Sequence, residues 1–194
     1  MTEPVGDVIA ELVADHRELE ALFREVELQP VDAPRRRELA DRLTAELVRH
    51  TASEERHLHP AMREHVPHGP ALADKEAADH ARSEQLLKHL EGLSADDPDF
   101  NDTVAKLKFA VAAPVREAEH DLFPALTTAL PPEKLEALGR MVRRDRETAS
   151  PPRSRPPRPP ASRPSPGRCT AYATGAARPR AGPGDQVARP EGDS

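Results

Sequence analysis

Apolar residues recur at helical spacing through the first three quarters of the chain. Val8, Ile9, Leu12, Val13, Leu19, Leu22, Phe23 and Val26 form the first such stripe, with the period of an amphipathic helix. Asp32 with Pro34, Gly69 with Pro70, Asp97 with Pro98, and Pro131–Pro132 have the character of helix starts. The pattern predicts helices over about residues 5–28, 34–65, 70–93, 99–129 and 132–147. No segment alternates with period two, so strands are not expected. Four long helices joined by short loops imply an all-α, antiparallel, up-down-up-down four-helix bundle. The short fifth helix would cap one end or lie on the flank.

Three stripes are interrupted by polar residues at mid-length. The first helix reads Ile9, Leu12, His16, Leu19, Phe23, Val26. The second reads Leu39, Leu43, Leu47, His50, Glu54, Leu58, Met62, with histidine and glutamate one turn apart on one face. The third reads Ala73, Glu76, His80, Glu84, Leu87, Leu90. A lone inward histidine is usually a hydrogen-bonded core residue. Three at one level, one beside a glutamate, point instead to a shared cation. Desolvating an unpaired carboxylate costs several kcal/mol, and a cation removes that cost.

Composition divides the chain. Residues 1–148 carry 20 Lys+Arg against 31 Asp+Glu, a net −11, and all nine histidines. Residues 149–194 hold 11 of the 22 prolines, a net charge of +5, and a single residue from the set Val, Ile, Leu, Met and Phe, Val187. Such a segment cannot bury enough apolar surface to offset its ordering entropy. It is expected to be a disordered Pro/Arg/Ala/Gly-rich tail, with residues 1–148 as the one folded domain. Cys169 is the single cysteine, which excludes a disulfide scaffold. No apolar run reaches the ~20 residues of a membrane span, and none follows a basic N-terminus. The expected setting is soluble and cytoplasmic, with no membrane partner. No nucleic-acid module is present, and a tail charge of +5 is weak support for nucleic-acid contact.

An ungapped shift of 64 residues exposes an internal repeat. Asp15–His16 falls on Asp79–His80, Leu43 on Leu107, Glu55 on Glu119, Leu58 on Leu122, and Pro60–Ala61 on Pro124–Ala125. His50 falls on Pro114, and Glu54 on Ala118. The second hairpin keeps the frame of the site without its ligands. Pro114 lacks the N–H that would bond to the Ala110 carbonyl, at a cost of roughly 3 kcal/mol inside a helix. A kink or break near residues 110–114 is expected.

The succession His, HxxxE, His, with the Asp-His pairs and the Pro-Ala closures, resembles the hemerythrin-like HHE cation-binding family. The likeness covers nearly all of residues 1–148 and none of the tail. It implies a four-helix bundle around a non-haem di-iron centre that binds or senses O2, peroxide or NO, sometimes with catalase-like turnover. The matching ligand positions are His16, His50, Glu54 and His80. The fourth-helix His and Glu of the family pattern are Pro114 and Ala118 here, so one iron ion is expected rather than a pair. Zinc also suits such a donor set.

Among neighbouring groups, Glu117, Glu84 and Glu20 are candidate extra ligands. Glu119 and His120 are expected to face solvent, as are Asp15 and Asp79. His57, His59, His65, His68 and His89 are expected to be peripheral. Two further readings stand beside the iron-binding one: a metal-free bundle serving as an interaction module, and a weak peroxide-decomposing enzyme.

Overall fold

The computed structural model describes residues 6–31 and 34–148. The sequence-predicted tail lies outside them, as does the capping residue Asp32. Among the described residues every regular element is helical. Helix α1 spans Val8–Leu28, capped by the Asp7 carboxylate, which accepts from Ala10 N–H at 2.9 Å. Helix α2, Pro34–Ser53, runs through a π-helical turn, Glu54–Leu58, into α3, His59–His65. Helix α4 is Gly69–Gly92. Helix α5, Phe100–Glu117, runs through a second π-helical turn, Ala118–Leu122, into α6, Phe123–Ala129. Helix α7 is Pro132–Thr148. The four long rods are α1, α2–α3, α4 and α5–α6. They form the expected bundle, and α7 lies on its flank against α1 and α2.

The repeat is written into the backbone. Each long rod with a π turn has it at the same place, 64 residues apart, and each turn is followed by proline at the second position of the next helix, Pro60 and Pro124. A proline has no N–H to give the carbonyl four residues back. A locally wider turn accommodates that loss. His59 N–H bonds to the Glu54 carbonyl, and Phe123 N–H to the Ala118 carbonyl. The break expected at residues 110–114 is not there. Helix α5 continues through Pro114 to Glu117, and the irregularity falls one turn later, in the π turn that both hairpins share.

Two apolar clusters fill the bundle. One is built on Val8, Leu12, Leu58, Met62, Leu122, Phe123 and Leu126. The other is built on Leu19, Leu22, Phe23, Leu43, Leu47, Leu90, Phe100 and Leu107. His16 lies between Leu12 and Leu19, and the pair His50 and Glu54 between Leu47 and Leu58. The interrupted stripes therefore line up as one buried polar layer between two apolar ones.

The joins are close. A Cβ on Gly69 would lie 1.8 Å from the Met62 carbonyl oxygen, so only glycine lets α4 start against α3. A Cβ on Gly139 would lie 2.7 Å from the Gly6 carbonyl oxygen, where α7 crosses the start of α1.

Candidate metal centre

The polar layer draws its side chains from different rods. His16 on α1, and His50 and Glu54 on the α2–α3 rod, are all buried. Each offers one ligand atom, and the three atoms lie within 4.8 Å of one another. His80 on α4 joins them through its Nε2, 3.2 Å from Glu54 Oε2. The same carboxylate oxygen is 3.3 Å from His50 Nε2. The His16 and His50 rings meet edge-on at 5.0 Å. A cavity of about 40 Å³ is lined by His16, His50, Glu54 and His80, with Pro114 and Ala118 from the fourth rod. That exceeds the roughly 10–15 Å³ that a water-sized guest needs.

Each imidazole turns its Nδ1 towards a carboxylate. His16 Nδ1 donates to Glu119 Oε1 at 2.8 Å, and His80 Nδ1 to Glu55 Oε1 at 3.0 Å. His50 Nδ1 faces Asp15 Oδ2 at 3.5 Å, without a hydrogen bond. A proton held at Nδ1 leaves Nε2 as the free lone pair. Outer carboxylates orient metal-binding imidazoles in this way. The carboxylates are themselves held: Glu119 by Arg17 at 2.7 Å, and Asp15 by Arg49 at 3.0 Å and by Arg146.

The electrostatics suit a cation. Burial lowers the pKa of His16 and of His50, so both favour the neutral, ligating form. Burial opposes ionisation of Glu54, yet the imidazoles of His50 and His80 outweigh it and bring its pKa down to about 2. For His80 burial lowers the pKa, and the carboxylates of Glu54 and Glu55 more than reverse it. An ionised, buried carboxylate among imidazole nitrogens is a donor set that a transition ion satisfies. The residues present fit one.

Parts of the sequence-based picture need correction. Asp15 and Asp79 are not solvent-facing helix acids, for both are buried. Asp79 pairs with Lys75 and Arg82. Glu119 turns inward to His16, and His59 is 95 % buried rather than peripheral, with 5 % of it exposed. His57 is half-buried and meets Asp145 at 3.0 Å. His120, His68 and His89 are exposed as expected, and His65 is partly so. The candidate extra ligands point away from the cavity. Glu117 pairs with Lys75, Glu84 with Lys88, and Glu20 with Arg17, all on exposed side chains.

Residues 7–126 match the hemerythrin HHE cation binding domain. The chain belongs to that family. A solved HHE cation-binding domain-containing protein from Mycobacterium kansasii superposes with a TM-score of 0.65 at 25% identity, covering 73% of this chain and 86% of that one. A Nostoc protein named DNA nickase is 29% identical over 124 residues, 63% of this chain. The match spans only 34% of the Nostoc protein's length. Membership gives this HHE domain a metal-binding role, and His16, His50 and Glu54 form its compact candidate cluster. Among the described residues, no helix is long and apolar enough to cross a membrane.

Proposed function

We propose that this HHE domain holds non-haem iron at His16, His50, Glu54 and His80, and that it binds or senses a small ligand such as O2, peroxide or NO. The observation that carries this is the common orientation of the imidazoles. Three rings from three rods turn Nδ1 outward to carboxylates and leave Nε2 for the cavity that contains Glu54. Iron there would supply a redox couple and an open position for the ligand. The chain's own part is to hold the imidazoles of His16 and His50 neutral and the Glu54 carboxylate ionised, and to keep bulk water out with apolar layers above and below.

The loss of donors at Pro114 and Ala118 makes the matched set a one-ion site. The test is metal analysis and an optical spectrum of protein purified from iron-replete cells, beside His50→Ala. Iron in the parent and none in the variant is the expected result. No metal in either would favour a metal-free interaction module. Peroxide turnover above that of free iron would extend the function to catalysis.

The Nostoc relative's name raises DNA as a partner. The net charge of −11 on residues 1–148 disfavours a phosphate backbone, so the small-ligand reading stands first.

A further inference from the structure

The polar layer continues past His80. His59 Nε2 and Glu76 Oε2 lie 3.2 Å apart, and both are buried without a hydrogen-bond partner. The His59 ring stacks on His80, with centroids 5.6 Å apart and 18° between planes. The repeat shows what these positions hold in the other hairpin. His59 corresponds to Phe123, which stacks on His16 at 5.9 Å and 8°. Glu76 corresponds to Leu12, fully buried in the apolar core.

Stacking therefore does not require an imidazole, and packing does not require a carboxylate. One hairpin has a phenyl ring and a leucine; the other has a nitrogen donor and an oxygen donor facing each other. They lie next to His80, the ligand on the hairpin whose own rod has lost its donors at 114 and 118. Leaving a buried donor or acceptor unsatisfied costs about 1–3 kcal/mol, and one cation between them would satisfy both.

We propose that His59 and Glu76 form a second cation position, for a divalent transition ion, beside the one at His16, His50, Glu54 and His80. It goes beyond the one-ion reading above and rests on it only for the neighbouring position. The protein donors are an imidazole nitrogen and a carboxylate oxygen, types that zinc, iron or manganese accepts, with water completing the shell. With fewer protein donors than its neighbour, it binds more weakly.

The experiment is a Zn2+ titration of the metal-free, full-length protein, followed by calorimetry and by metal content after gel filtration. The partner is the variant His59→Phe with Glu76→Leu, which installs the residues the other hairpin already accommodates. The expected result is about two ions per chain in the parent and about one in the variant, with the weaker binding phase lost. The metal-free variant should melt no lower than the parent, because an apolar pair replaces a buried polar one. One ion in both proteins would overturn the second position and leave the first in place. No ion in either would overturn both. A variant that failed to fold would be replaced by Glu76→Gln, which keeps the shape and removes the charge. Unchanged two-ion binding in that protein would also count against the proposal.

Discussion

His16 and Glu119, 103 positions apart in the chain, meet at 2.8 Å between Nδ1 and Oε1. The repeat supplies the counterpart. His80 and Glu55 meet at 3.0 Å through the same atoms. Each hairpin thus provides the carboxylate that orients the other hairpin's histidine. This reciprocal arrangement has survived in full, although the HxxxE ligands survive in one hairpin alone.

Glu119→Gln should therefore weaken metal binding without unfolding the bundle. Loss of an orienting partner of this kind typically costs 10- to 100-fold in affinity. Competition against a chelator reads the affinity, and circular dichroism reads the helicity. Unchanged affinity would mean that His16 is oriented by its packing on Phe123 alone.

Helix α7 reaches the site indirectly. Its Gly139 lies against Gly6 and Asp7, its Arg143 donates to the Gly6 carbonyl at 2.8 Å, and its Arg146 pairs with Asp15, which faces His50. Gly139→Ala puts a methyl group into backbone and should destabilise the fold by about 1–3 kcal/mol. A lowered melting temperature is expected, with slightly weaker metal binding as Arg146 shifts. An unchanged melting temperature would show that α7 is not held at this crossing.

The rods and the four matched ligands were legible in the chain because both follow the 3.6-residue period. What was missed follows from departures from that period. A π turn holds about one residue more than an α turn, so His59 and Glu119 come after or within a change of phase and rotate inward. A period carried straight through Glu54–Leu58 or Ala118–Leu122 places them outside. The burial of Asp15 has a signal in the sequence. Asp15 follows Leu12 by three positions and precedes Leu19 by four, so it lies on the buried stripe. That the helix is not broken at Pro114 has another reason. Both rods already have a π turn next to Pro60 or Pro124, and α5 stays helical up to it.

Deleting residues 149–194 tests the domain boundary read from composition. The segment offers almost nothing apolar, so helicity, melting temperature and metal content should be unchanged. A fall of many degrees on truncation would place part of the tail against the bundle.

The strongest test of the repeat is to rebuild what the fourth rod has lost. Pro114 and Ala118 both line the cavity, so the backbone aims those positions at the site. Asp79 is the repeat counterpart of Asp15, the carboxylate facing His50, and is buried next to Lys75 and Arg82. A histidine at 114 would find it waiting as an orienting partner. Pro114→His with Ala118→Glu should be made in the His59→Phe, Glu76→Leu protein, so that the new donors are the ones counted. Metal-free, the added glutamate is a buried charge and should lower the melting temperature. With iron, binding to the folded state alone should reverse that loss by linkage. Uptake should rise from about one ion to about two, with the near-ultraviolet absorption of a coupled iron pair. Either single change should do much less, since each supplies only half of the missing donor pair. If the combined variant takes up no more iron than its parent, side chains at 114 and 118 do not reach the metal, and the 64-residue correspondence holds for the backbone without holding for the ligands.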